Sequence, residues 1–152
     1  ETPQLLRTNE QLTSVIHLLV PRSEISIVMG PAITEILSAL AAQQTAPSGP
    51  CFSYHLQRPT DIFDFEVGFP VSQAITPIGR VKMSKLPAAN IARATYQGNY
   101  AGLAAAWGEF CAWLDSEGLK PQESLWEYYL VGHETSSDPN EWRTELNRPL
   151  SP

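Results

Sequence analysis

Positive charge is what this sequence has least of. Ten Lys and Arg stand against 16 Asp and Glu, a formal charge of −6 over 152 residues, and no Lys/Arg run gathers the bases into the patch that phosphate neutralisation requires. Direct nucleic-acid binding is therefore not expected. Cysteine is equally scarce: Cys51 and Cys111 lie at no metal-ligand spacing and read as two reduced thiols of a cytoplasmic protein. His17, His55 and His133 have no cage-like spacing, no Gly-rich loop follows a strand to cradle a phosphate, and no Ser sits in a nucleophile-elbow setting. The expectation is thus no metal, no cofactor and no serine hydrolase. Apolar runs stay short of the ~18–20 residues of a membrane span, and the opening Glu1 to Glu10 is polar, so no membrane partner is expected. The first residue is Glu1 rather than Met, which implies that something was removed ahead of it.

What is present suits one folded domain over 1–152, with 43% apolar and 17% charged residues. The β-branched run of Gln11 to Pro21 predicts a strand, and Glu24 to Met29 reads as a further extended piece. Gly30-Pro31 then breaks the chain ahead of a helix over Ala32 to Gln44, with Ile33, Ile36, Leu37 and Leu40 at helical spacing. Strands follow at Cys51 to Gln57 and Ile62 to Val71. The order recurs: a strand at Ile91 to Tyr96, then a helix at Tyr100 to Glu117 closed by Gly118 and Pro121. Strands at Leu125 to Val131 and Trp142 to Leu150 flank the polar loop Gly132 to Glu141. That acidic loop reads as solvated, with protein docking as its alternative use.

The two halves also match in residues. Phe52-Ser53-Tyr54-His55-Leu56 aligns with Trp126-Glu127-Tyr128-Tyr129-Leu130, and both halves end Glu, apolar, two variable residues, Pro, apolar, at Glu66 to Val71 and Glu145 to Leu150. Two matches in the same order after corresponding helices predict duplicated β-α-β-β units at about 11–75 and 79–150. The fold class expected is α+β: an antiparallel sheet with pseudo-two-fold symmetry, helices on one face and a ligand groove on the other.

Strand alternation then places Ser53, His55, Glu66, Glu127, Tyr129 and Glu145 on the uncovered face. Symmetry breaks at one position, where Glu127 corresponds to Ser53. A lone carboxylate among rings suits a cationic planar ligand or acid–base work; a solvated strand residue is the plain alternative. Trp107, Phe110 and Trp113 share a helical stripe and are assigned to the core.

These residues resemble the GyrI-like family, which includes the effector-binding domains of AraC-type and MerR-type multidrug regulators such as BmrR. The resemblance runs through Asp64 to Val71, Tyr96-Gln97-Gly98-Asn99-Tyr100, Ala106-Trp107, Gly118 to Pro121, Trp126 to Tyr129, Arg143 to Leu146 and Pro149-Leu150. It implies a groove for aromatic or cationic drug-like ligands, met by the acid that Glu127 matches and lined by an aromatic in the place of Trp142. Asn99 stands where the family usually has the Pro of a Gly-Pro-Tyr turn, and Gly132-His133-Glu134 replaces the common Asp-Pro loop start. The regulators carry a DNA-binding domain ahead of the groove, for which this chain has no room, so a stand-alone domain is expected. The resemblance implies three roles: ligand binding at Glu127, Trp142, Tyr129, His55, Glu66 and Glu145; hydrolysis of cyclopropane-bearing electrophilic toxins by Glu127 with groove aromatics; or inhibition of DNA gyrase by protein contact.

Overall fold

The computed structural model describes residues 2–57, 59–132 and 136–151, so His133 and Glu134 of the polar loop lie outside the described residues. Its elements run β1 (Gln4–Arg7), β2 (Gln11–Pro21), α1 (Ile25–Ala42), β3 (Phe52–His55), β4 (Ile62–Pro70), β5 (Lys82–Leu86), β6 (Asn90–Gln97), α2 (Leu103–Ser116), β7 (Leu125–Val131) and β8 (Arg143–Pro149). The fold is α+β. Eight antiparallel strands form one open sheet in the order β1-β6-β8-β7-β3-β4-β2-β5. In each half the last strand lies between the first and second, β4 between β2 and β3, β8 between β6 and β7.

The register is symmetric about one rung. Ser53 faces Glu127, with Phe52↔Tyr128 on one side and Tyr54↔Trp126 on the other. The flanking ladders repeat the relation, since Ser53↔Val67 in one half matches Glu127↔Leu146 in the other. Two short edge strands, β1 and β5, have no alternation in sequence to announce them. Each covers the outer edge of the half that it does not precede: β1 pairs with β6 and β5 with β2.

Those edge pairs belong to one ribbon. The register from Gln4↔Arg93 to Arg7↔Asn90 resumes unslipped at Gln11↔Leu86 and runs to Val15↔Lys82. Between them Thr8 donates its N–H to Ala89 O at 2.8 Å and its hydroxyl to Pro87 O at 2.9 Å. One end of the ribbon extends β8 and the other extends β4, so the sheet must curl. Val15, Phe52, Leu86, Ile91 and Trp126 consequently meet as a buried cluster on the concave face. Both helices pack on the convex face.

Helix α1 begins earlier than expected. Ile25, Val28, Met29, Ala32, Ile36, Ala39 and Leu40 follow helical spacing and pack against Ile16, Leu18, Phe65, Val67 and Phe69. Burial of that stripe overrides the strand propensity of Ile25 to Val28 and keeps Pro31 inside the helix. The carbonyl four residues before Pro31 belongs to Ile27, which is 68% exposed, so water can satisfy it. The stretch Arg22–Ala42 is long and apolar enough by composition to cross a membrane, contrary to the expectation that no segment is. Its buried face is instead committed to the sheet. Helix α2 ends as anticipated: Gly118 adopts φ +70° and Leu119 N–H returns to Leu114 O at 3.0 Å.

Close approach of β4 to β2 rests on Gly68, where an added Cβ would lie 2.2 Å from the Ser14 carbonyl oxygen. That neighbour is backbone and cannot swing aside. Gly68→Ala is expected to lower stability by roughly 1–3 kcal/mol, the range of overpacked cores, measured by urea unfolding.

Candidate functional site

The residues predicted to share one face fall on two. Ser53 pairs with Val67 and Glu127 with Leu146, and Val67 and Leu146 point at the helices. Ser53, His55, Glu127 and Tyr129 therefore lie on the helix side, in the strip between α1 and α2. Glu66 and Glu145 lie on the concave face. Alternation within each strand was read correctly; the phase between neighbouring strands was not, because it is set by pairing register.

Glu66 and Glu145 are also neutralised there. Ser84 Oγ donates to Glu66 at 2.7 Å, with Lys82 Nζ 4.0 Å away. Arg93 Nε lies 3.1 Å from Glu145, and Asn147 Nδ2 donates to it at 3.2 Å.

Glu127 is held differently. Trp107 Nε1 on α2 donates to its Oε2 at 2.5 Å, and the Tyr129 hydroxyl donates to its Oε1 at 2.8 Å. Ser53 Oγ stands 2.7 Å from that same hydroxyl, which leaves Ser53 to donate to it. Both donors and the Ser53 hydroxyl behind Tyr129 are neutral, and no Lys or Arg among the described residues forms an ion pair with Glu127. Burial raises its carboxyl pKa, while the hydrogen bonds from Trp107, Tyr129 and Ser53 lower it in part. The side chain nevertheless keeps some exposure. What results is a partly exposed carboxyl group, held by neutral donors in the strip of sheet between the two helices.

Aromatic rings continue from it. Tyr100 meets Tyr129 edge to face with centroids 5.9 Å apart, and lies tilted by 31° against Trp142 at 4.8 Å. Trp142 thus joins the site through Tyr100, and its Nε1 is anchored on Ser136 O at 3.0 Å. The turn that presents Tyr100 is capped by Asn99, whose φ of −71° is one a proline would impose and whose Oδ1 accepts from Ala101 N–H at 3.0 Å. Side-chain capping here does the work of the expected Pro.

Trp107 was assigned to the core and belongs to both. It packs against Phe110 at 5.7 Å while its N–H closes on Glu127. A buried acid needs donors, and an indole on the facing helix was the available signal. His55 shares the face but lies flat on Phe65, centroids 5.0 Å apart and planes 16° apart, with Phe63 edge-on at 5.4 Å. Its Nδ1 has no hydrogen-bond partner. Burial lowers its pKa to about 4, against the opposing pull of the Asp64 charge.

Comparison with known proteins places this geometry. The model of the GyrI-like small molecule binding domain matches residues 15–151, while no curated protein matches. Among solved structures, the C-terminal domain of EcmrR superposes with a TM-score of 0.86 at 22% identity, covering 99% of this chain and 97% of that one. In the EcmrR–DNA complex this chain spans 57% of the regulator's length, again with a TM-score of 0.86 and 22% identity over 99% of this chain. SAV2435 bound to tetraphenylphosphonium has a TM-score of 0.74 at 10% identity, covering 99% and 94%. A hydrolase from Listeria innocua has a TM-score of 0.66 at 13% identity, covering 99% and 92%. Likeness at these identities is likeness of fold.

The depressed pKa of His55 has a consequence for stability. Its folded value of about 4 lies below the ordinary ~6.5 of the unfolded chain, so its contribution is present above about pH 6.5 and is lost as pH falls toward 4, by on the order of 3 kcal/mol. Urea midpoints measured across that window should fall less steeply with acid in His55→Phe than in wild type.

Proposed function

The chain belongs to the GyrI-like family of small-molecule-binding domains, and on that premise we propose that its ligand is an aromatic cation for which Glu127 is the counter-ion. One observation carries the reading: Glu127 is a carboxylate whose donors, Trp107 and Tyr129, are uncharged, as is the Ser53 hydroxyl behind Tyr129. A cation entering the recess supplies the missing charge, and the ring faces of Tyr100, Tyr129 and Trp142 attract it further. The apolar body of the ligand replaces water along the rings. Tetraphenylphosphonium held by the structurally similar SAV2435 supports this choice of chemistry.

Trp107 sets the terms of entry. Its indole N–H occupies the oxygen of Glu127 nearest α2, so a ligand that approaches from that side exchanges an indole hydrogen bond for ion pairing. Trp142 and Tyr129 serve as walls, Tyr129 also as a donor to Glu127, while His55 packs on Phe65 farther along the same face. Glu66 and Glu145 have no part in this site.

Hydrolysis is the second reading, favoured by the raised pKa of Glu127, which suits a carboxyl group to take a proton from attacking water. Incubation with a cyclopropane-bearing alkylator and product analysis separates the two. Turnover by wild type and none by Glu127→Gln would support catalysis, whereas recovery of unchanged compound from both would leave binding alone.

Titration with an aromatic cation followed by tryptophan fluorescence should show affinity at least about tenfold weaker in Glu127→Gln. Because the folded pKa of Glu127 is raised, its ionised form costs stability above that pKa, and the loss grows as pH rises through it. Glu127→Gln should accordingly melt no lower than wild type at pH 7 while losing the cation. Equal affinity in the two proteins would remove Glu127 from the site.

A further inference from the structure

The concave face, which has no part in the Glu127 site, holds a cavity of about 310 Å³ under the crossing of the ribbon. Leu6 and Arg7 of β1, Leu86 of β5, Arg93 of β6, and Trp126 and Tyr128 of β7 line it. No carboxylate of the described residues is among those lining it. Its chemistry is the reverse of the helix-side strip, where Glu127 pairs with no cation among the described residues.

Hydrogen-bond donors outnumber their acceptors here. Arg93 uses its Nε for Asn147 Oδ1 at 2.8 Å and Glu145 Oε1 at 3.1 Å, and its two terminal nitrogens have no hydrogen-bond partner among the described residues. Arg7 reaches Asn90 Oδ1 at 3.4 Å on the face opposite Leu6 and Ile91, so only its backbone end belongs to the cavity wall. Trp126 is 2% exposed, yet its indole N–H has no acceptor, a rare condition for a buried donor. The Tyr128 hydroxyl is kept protonated far above neutrality, its pKa pushed up to about 12 by burial and by the Glu145 charge.

Pseudo-symmetry sharpens the point. The position of Arg93 in the other half is held by Val15 and that of Trp126 by Phe52, as the matching ladders show. Where the second half has a guanidinium and an indole N–H, the first has only apolar groups. The donors are thus a feature of one end of the concave face and not of the repeated framework.

We infer that this cavity binds a small carboxylate with a flat apolar body. Its oxygens would meet the forked N–H groups of Arg93, a geometry that a guanidinium matches in pairs, and the unpaired indole N–H of Trp126. Its body would lie against Leu6, Leu86 and the ring of Tyr128. The volume stands at the lower end of ordinary ligand sites, which limits the body to one or two fused rings.

2-Naphthoate and 2-naphthylmethylammonium, equal in shape and opposite in charge, are the probes, titrated into the full chain by calorimetry. Naphthoate should bind at sub-millimolar concentration, at least about tenfold more weakly in Arg93→Gln, and with unchanged affinity in Glu127→Gln. Because Arg93 also neutralises Glu145, Trp126→Phe serves as the second variant, which removes the unpaired N–H and keeps an aromatic ring, and it too should weaken naphthoate. The inference is overturned if naphthoate gives no binding up to millimolar concentration, if its affinity survives both Arg93→Gln and Trp126→Phe, or if Glu127→Gln abolishes it. The ammonium probe reports on Glu127 alone, so either site can fail without the other.

Discussion

Glu127 faces Ser53 on the rung about which the whole sheet is symmetric, and among the described residues no cation pairs with it. A repeated framework would place the same group on both sides of such a rung. One serine and one glutamate there make the pair a hydroxyl relay through Tyr129 into a carboxylate. Burial opposes the charge and three neutral donors partly restore it. A carboxylate so placed is destabilising for the fold by itself, which is the usual mark of a group retained for what it binds.

The ribbon formed by residues 4–15 and 82–93 supplies the second constraint. By extending both ends of the six central strands, it forces the curl that gathers Phe52, Trp126 and Ile91 into a concave core. That core frees the convex side for α1 and α2, and the strip between the helices becomes the recess over Glu127. The same curl creates the donor-lined cavity on the other side. One sheet therefore carries two opposite polar surfaces back to back, an acid among rings and a guanidinium with an indole N–H among apolar walls.

Much of this was legible from residues alone. The limits of β2 and β7 follow directly from their apolar and aromatic runs, and Gly118 marks the end of α2. The match of Ser53 with Glu127 identified the asymmetric position before any geometry was known. Three features were not legible, each for a physical reason. Ile25 to Val28 has the composition of a strand and becomes helix because its stripe is continuous with Ala32 and Ile36. β1 and β5 are short and polar, and exist because of the partners that they cover. The separation of Glu66 and Glu145 from Glu127 depends on a one-residue phase between strands, which no single strand records. Trp107 was hidden for another reason: at helical spacing a core ring and a hydrogen-bond donor look alike.

The central claim is that the ligand supplies the counter-charge of Glu127. A permanent cation that does so must favour the ionised carboxylate and hence drive off protons bound to it. Calorimetric titration of tetraphenylphosphonium in buffers of different ionisation enthalpy, between about pH 4.5 and 7, measures the protons exchanged. The account predicts proton release on binding wherever the carboxyl, whose pKa burial raises, still holds its proton in the free protein. Binding with no proton release anywhere in the window, or with proton uptake, would contradict it.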